Sequence, residues 1–202
     1  MLKKEENKVE TKKKKKEHEL LNAAYELFIT KGTRETSIDD IVKKAGVAKG
    51  TFYLYFKDKY DIINRLILLT SSIVVRKAMQ EAEEQELEKF EENLLFFIDY
   101  IINYFKANKL MLKLINKNLS WGVFRRALMG NEEYKDMENV VAFFMENMVK
   151  NNVTEEEAMI NLFMIFELVG SVCYSAIILN EPNDIDSIKP ILFKKVLAIL
   201  RD

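Results

Sequence analysis

The sequence predicts an all-α protein, on three observations. Only two prolines and six glycines interrupt its 202 residues. Leu, Ile, Glu and Lys are abundant. No stretch alternates apolar and polar residues between turn residues, as a β-strand would. The length allows one sizeable core, or a small domain joined to a larger one.

The first sixteen residues, MLKKEENKVETKKKKK, form a charged run with almost no side chain to bury. This composition predicts a flexible basic arm over residues 1–16. From Glu17 onward the pattern predicts a helix that ends before Gly32. Its apolar residues, spaced three and four apart, are Leu20, Leu21, Ala24, Leu27 and Phe28.

Residues 36–59, TSIDDIVKKAGVAKGTFYLYFKDK, predict two short helices separated by a tight turn. Ser37 can cap the first of them, with Asp40 in a near capping box. Gly46 can adopt the left-handed conformation that ends a helix. The predicted buried face of the first helix consists of Ile38, Ile41, Val42 and Ala45. Together these signals predict a helix-turn-helix.

The second of these helices, about Lys49 to Phe56, places Phe52 and Phe56 on one side and polar residues on the other. A lysine can reach a guanine edge or a phosphate, and a threonine methyl can contact thymine. Tyrosine hydroxyls can bind phosphate oxygens, and a lysine at the start of the next helix adds to an anion-attracting terminus. The expected DNA-binding residues are Thr36, Ser37, Lys49, Gly50, Thr51, Tyr53, Tyr55 and Lys59.

An ordinary packed helical hairpin is the alternative interpretation of this segment. Two tyrosines on an exposed face, flanked by lysines, have no packing role, so DNA binding is favoured. Charge agrees with this, because residues 1–65 hold 16 basic and 11 acidic side chains, whereas the remainder holds 15 and 21. The basic part suits a polyanion. Residues 1–16 are then either a solubilising tail or an arm that contacts DNA.

AGVAKGTFYLYFKDK, preceded by LLNAAYELFITKG and TSIDDI, resembles the DNA-binding domain of TetR-family transcriptional regulators over about residues 20–63. Two positions depart from the family pattern. Ala48 stands where serine is usual, so a helix cap worth roughly 1 kcal/mol is missing. Tyr55 stands where histidine is frequent.

The resemblance implies a homodimer that binds a pseudo-palindromic double-stranded DNA operator. It also implies a repressor that a small effector releases from the operator. Repressor and activator both remain open, because the outcome depends on where the operator lies relative to a promoter.

Enzyme functions lack the residues that they need. Cys173 is the only cysteine and His18 the only histidine, so an intrachain disulfide, a Cys/His zinc cluster and a cysteine-histidine catalytic pair are excluded. We therefore expect no enzyme activity, cofactor or metal. Lysines and glutamates occupy the place of a secretion signal, so we expect a cytoplasmic protein.

Beyond the three-helix domain, residues 17–65, the sequence predicts a larger helical domain, residues 66–202, for effector binding and dimerisation. A fourth helix runs from Asp58 towards the acidic residues 81–88. Helix-period segments follow at Phe90–Ala107, Leu110–Asn118, Glu132–Asn152, Thr154–Leu179 and Asp186–Arg201.

The segment Ala158–Leu179 is apolar and long enough to span a bilayer. A helical scaffold or membrane-associated protein is therefore the alternative function. Glu167 near its middle, and the acidic first turn after Thr154, instead favour a helix of a soluble protein. In the family, the last two helices pair with those of a second subunit. The expected interface residues are Gly170, Ser171, Tyr174, Ser175 and Ile178.

Aromatic residues concentrate in the middle of the second domain, where the resemblance implies a ligand cavity. Large flat side chains and methionines suit a small apolar or aromatic effector. Glu167 is either an exposed residue or a partner for a polar or cationic group of the effector. The expected pocket residues are Phe97, Tyr100, Trp121, Phe144 and Glu167.

Overall fold

The computed structural model describes residues 2–119, 121–127 and 134–201, and all of their regular structure is helical. A single π-helical turn, Ser175–Leu179, continues α9. The ten helices of these ranges are α1 (Leu2–Thr30), α2 (Ile38–Ala45), α3 (Lys49–Phe52), α4 (Lys59–Glu84), α5 (Phe90–Ala107), α6 (Lys109–Asn118), α7 (Trp121–Ala127), α8 (Lys135–Lys150), α9 (Glu155–Tyr174) and α10 (Ile185–Ile199). The predicted all-α class is confirmed.

The chain divides into two compact units, Met1–Leu66 and Ile67–Asp202, and the division falls within α4. In the first unit, α1 packs against α2, and α2 packs against α3. Its core includes the fully buried side chains of Leu20, Ala24, Ile41, Phe52 and Ile62. Burying each of the larger ones contributes about 1.5–3 kcal/mol, which fixes the short helices on α1.

Helix α1 begins at Leu2, whereas the sequence analysis expected a flexible arm over residues 1–16. The physical reason is helix propensity. Lys and Glu are among the stronger helix formers, and the charged run contains no Gly or Pro that would end a helix. Residues 2–16 therefore continue the scaffold helix.

Helix α9 is the centre of the second unit, where it packs against α5, α6, α7, α8 and α10. Buried residues of these helices form one apolar core, which includes Ile102, Leu112, Phe144, Met148, Ala158, Ile165, Cys173 and Val196. Two ion pairs, Lys106 with Asp186 and Lys189 with Asp99, join α5 to α10 at 2.7 Å.

Among the described residues, one helix, Glu155–Leu179, could cross a membrane by its length and composition. In the fold it lies among five other helices and contributes Ala158, Val169 and Cys173 to the core. Thr154 caps its N-terminus, because its side chain accepts a hydrogen bond from the Glu157 N–H. These contacts make it the central packing helix of the second unit, and the membrane-associated alternative is not favoured.

Candidate nucleic-acid interface and cavity

Both ends of α2 are formed by the capping residues that the sequence predicts. The Asp40 N–H donates to Ser37 Oγ at 3.1 Å, and the Ser37 N–H donates to Asp40 Oδ2 at 2.9 Å. Gly46 has a φ of 67°, and its N–H donates to the carbonyls of Val42 and Lys43. This left-handed position stops α2 and turns the chain into α3.

Asp40 is held in its charged form by the same contacts. The Ser37 N–H bond, and then the bond from the Lys31 ammonium at 3.0 Å, lower the pKa of Asp40 well below its usual range. The capping box is therefore fully formed at neutral pH. It fixes the start of α2 relative to the end of α1.

Helix α3 has only four residues, and neither its N-terminus nor its C-terminus favours a longer helix. Ala48 provides no side-chain hydrogen bond at its N-terminus, as the departure from the family pattern predicts. Regular helix ends at Phe52, whereas the sequence analysis extended it to Phe56. Beyond it, the Lys57 N–H donates to Asp61 Oδ2 at 2.8 Å, which draws the chain into α4.

The two sides of this segment differ as expected. Phe52 and Phe56 are buried and lie 5.5 Å apart between ring centroids. On the outer side, Lys49 and Gly50 are exposed and Tyr53 is 53% exposed. Thr51 and Tyr55 are half-buried beside them. The fold thus brings all five of the residues expected on α3 and its continuation to one surface or its margin.

Lys49 is not isolated on this surface. Its Nζ lies 2.8 Å from Asp39 Oδ1 on α2, and this hydrogen bond raises the pKa of Lys49. Asp39 and Lys49 are ten residues apart, so no local pattern reveals their contact. The exposed ammonium is therefore paired with a carboxylate that DNA would have to displace.

Lys59 and Thr36 have structural roles that the sequence analysis missed. The Lys59 ammonium donates to the carbonyls of Thr33 and Thr36 at 2.9 and 3.0 Å. Thr36 is 1% exposed, and its hydroxyl donates to the Gly32 carbonyl at 2.7 Å. The Thr36 hydroxyl proton is therefore used inside the fold, and the expected contact of Thr36 with DNA stays a prediction. An ammonium has three donors, so one remains on Lys59 for a phosphate.

Two large exposed side chains of the first unit were absent from the expected site. Leu54 is 74% exposed and Tyr60 is 67% exposed. Tyr60 lies in the first turn of α4, whose N-terminus is capped by Asp58 Oδ1. Helical spacing from Phe52 and Phe56 could have placed Leu54 on the outer surface, and Tyr60 follows Lys59 directly. Both are large exposed side chains that follow α3 closely in the sequence.

The second unit contains a cavity of about 470 Å³, which five helices and Phe124 of α7 line. Apolar side chains from α5, α6, α8 and α9 make most of its wall, including Leu94, Phe97, Ile101, Leu112, Phe144 and Ile165. Its volume lies in the range of roughly 300–1,000 Å³ that is typical of small-molecule sites.

Three of the five expected pocket residues line this cavity: Phe97, Phe144 and Glu167. Tyr100 does not line the cavity. It faces a separate open groove, together with Lys77 and Glu81. Trp121 does not line the cavity either, but it contacts two residues that do. Its ring stacks on Phe124 at 5.3 Å and contacts Phe166 at 5.6 Å, and these two rings line the cavity.

Features of an enzyme centre are few in the part of the chain that the structure describes. No group of three or more His, Cys, Asp or Glu side chains there could hold a metal ion. Cys173 is buried, and burial raises the pKa of its thiol to about 12. A thiol with this pKa is a poor nucleophile at neutral pH.

A family comparison matches the helix-turn-helix directly. The sequence model of the bacterial regulatory proteins of the tetR family matches residues 20–66, which include all of α2 and α3. Residues 20–66 therefore match the DNA-binding part of the tetR family. Among curated family members, the HTH-type transcriptional regulator YvdT of Bacillus subtilis (strain 168) is 44% identical over 71 residues. That alignment covers 34% of this chain and 37% of YvdT.

Solved structures extend the family likeness to the whole fold. The fatty acid degradation regulator FadR from Bacillus halodurans superposes with a TM-score of 0.62 at 23% identity, over 90% of this chain and 94% of FadR. FadR from Bacillus subtilis, solved in complex with stearoyl-CoA, gives 0.56 at 19% identity, over 90% and 97%. The same fold, a helix-turn-helix unit followed by a helical unit, therefore extends over about 90% of this chain.

The residues expected at a tetR-family dimer interface lie in several environments. Gly170 and Ser171 line the cavity, and open space surrounds the position of a Cβ at Gly170. Tyr174 and Ile178 are half-buried against the core, beside half-buried Ser175. The exposed large apolar side chains of this region, which the sequence analysis did not select, are Ile160, Phe163, Met164, Leu179 and Ile191.

Proposed function

We propose that the protein is a cytoplasmic, homodimeric transcriptional repressor that binds a pseudo-palindromic operator and is released from it by a small apolar effector. The observation that carries this proposal is the outer surface of α3. There Lys49, Gly50 and Tyr53 stand exposed on a helix that buried Phe52 and Phe56 anchor. Such a surface has no packing role, and its residue types fit phosphate and base contacts.

Dimerisation follows from the geometry of the operator. Two recognition helices must reach half-sites about 34–36 Å apart on one face of DNA, which requires two copies of the chain. Exposed apolar residues on α9 and α10 supply a candidate contact face: Ile160 and Met164 lie four residues apart on α9, and Ile191 is exposed on α10. Ile160→Glu should then convert a micromolar dimer into a monomer in sedimentation experiments. Leu110→Glu, at an exposed position on α6, is the matched control.

The cavity supports an effector site in the second unit. Its apolar wall fits a hydrocarbon or aromatic body, and a relative of the same fold was solved with stearoyl-CoA. An effector lowers DNA affinity only if it binds the released state more tightly than the DNA-bound state. A coupling of about 1–3 kcal/mol is sufficient for a change of roughly tenfold or more.

Selection from a random DNA pool tests the proposal. We expect enrichment of an inverted repeat whose half-sites lie one helical turn apart, and binding that weakens steeply with salt. Absence of salt-sensitive binding to any pool would contradict DNA recognition. Recovery of a single unrepeated half-site would contradict the dimer.

A further inference from the structure

The charged side chains that line the cavity, among the described residues, are all negative. Among the described residues that line it, the only carboxylates are Glu83 on α4 and Glu167 on α9, and no lysine, arginine or histidine is present. The other polar groups are neutral hydroxyls and amides, such as Ser171 and Asn93. A ligand that carries a negative charge would therefore meet two carboxylates and no cation.

We propose that the cavity takes lipophilic cations: ligands with a long apolar body and a positively charged head that lies against Glu167. This proposal rests on the effector site proposed above and specifies its chemistry. A charged head group at the mouth of an apolar cavity is attracted by a partner of opposite charge and repelled by one of like charge. Glu167 provides that partner for a cation, whereas a fatty acid or an acyl-CoA finds none on the described wall.

The space beside Glu167 fits a head group. Glu167, Gly170 and Ser171 belong to the same stretch of α9 and line the same cavity. Apart from Gly170, its two chain neighbours and the backbone of its own helix, no atom lies within 4 Å of the position that a Cβ would take there, so the glycine leaves room next to the carboxylate. Glu167 is itself exposed, which places the head at the mouth of the cavity and not in its apolar interior.

The remainder of the cavity fits an extended apolar body. Lining residues on α4 run from Thr70 to Glu83, which corresponds to about 20 Å along the helix. Phe97 and Phe144 line the wall, and aromatic faces also attract cations that lie over them. Length, apolar wall and acidic mouth together define the ligand class.

Titration of the Trp121 fluorescence tests this proposal, since Trp121 is the only tryptophan and its ring contacts Phe124 and Phe166 of the cavity wall. The probes are decyltrimethylammonium, decanol, decanoate and decanoyl-CoA, each below its micelle concentration. Equilibrium dialysis provides a second readout. We expect the cation to bind at least about tenfold more tightly than decanoate, which corresponds to about 1.4 kcal/mol.

Charge variants assign the head group to Glu167. Glu167→Gln should remove most of the preference for the cation over decanol, and Glu167→Lys should invert the preference between cation and decanoate. Glu146→Gln, at an exposed position on α8 outside the cavity wall, is the matched control and should keep the wild-type order. An unchanged order in Glu167→Lys would overturn the assignment to Glu167.

Other results would overturn the ligand class itself. These are equal or tighter binding of decanoate or decanoyl-CoA, or no binding of any probe by either readout. DNA retardation in parallel separates this proposal from the proposed function. Cation preference in a protein that binds no DNA would contradict only the regulatory function, whereas anion preference in a salt-sensitive DNA-binding protein would contradict only the ligand class.

Discussion

Lys49 and Asp39 form an ion pair between the start of α3 and the first turn of α2, with 2.8 Å between Nζ and Oδ1. Both side chains are more than half exposed, so water and salt screen the pair. Asp39 thus orients the lysine without binding it firmly. In a DNA complex the same carboxylate would compete with phosphate or guanine for the ammonium and would itself repel the polyanion.

Asp39→Asn should therefore increase DNA affinity about threefold to tenfold, because it removes both the competition and the repulsion. The gain should appear on operator and on unrelated DNA alike, since the change involves charge and not base readout. Retardation assays over a salt series measure it. Glu146→Gln changes the net charge equally in the second unit, and an equal gain in that variant would contradict a local effect of Asp39.

Lys59→Met should destabilise the first unit and weaken DNA binding together. The substitution leaves the carbonyls of Thr33 and Thr36 without the ammonium that they accept from. Leaving such groups without a partner costs about 1–3 kcal/mol. Urea unfolding measures the stability, and retardation measures the DNA affinity. A variant with wild-type stability that had lost DNA binding would show that Lys59 acts only as a phosphate ligand.

Ala48→Ser should stabilise the protein by about 0.5–2 kcal/mol, because a serine at this position can cap α3. Ala48 already has the extended backbone of a cap residue, with φ of −71° and ψ of 149°. Thermal or urea unfolding measures the gain. Ala48→Val cannot cap and is the control; a similar gain in both variants, or none in Ala48→Ser, would contradict the missing cap.

Asp40→Asn should change how stability depends on pH. The pKa of Asp40 is lower in the folded protein than in the unfolded chain, so its contribution is present above about pH 4, the ordinary value, and is lost as the pH falls through the folded value. The stability difference between wild type and Asp40→Asn should thus be largest near neutral pH and shrink in acid. A difference that stayed constant from pH 7 to pH 2 would contradict a charged capping box.

The sequence predicts the local parts of this site well. The Ser37 and Asp40 capping box and the stop at Gly46 each depend on residues within four positions of one another. Burial of Phe52 and Phe56 follows from helical spacing. Short-range hydrogen bonds and periodicity determine these features, and both are visible in the chain.

Contacts between distant residues could not be predicted in the same way. Lys59 donates to the carbonyls of Thr36 and Thr33, which lie 23 and 26 residues earlier in the chain, and Thr36 is itself buried. The positions of Tyr100 and Trp121 outside the cavity wall depend on how α5 and α7 are rotated in the packed unit. The helical start of α1 was missed because composition alone favoured disorder over the helix propensity of Lys and Glu.

The most direct test of the account compares Lys49→Ala with Lys113→Ala on the selected operator and on a scrambled sequence of equal length. Lys113 is exposed on α6 and lies outside the first unit. If the outer surface of α3 reads DNA, Lys49→Ala should lose about 1–3 kcal/mol on the operator and less on the scrambled sequence, and Lys113→Ala should match wild type on both. Equal operator affinity for wild type and Lys49→Ala, at low and at high salt, would contradict the assignment of α3 as the recognition helix.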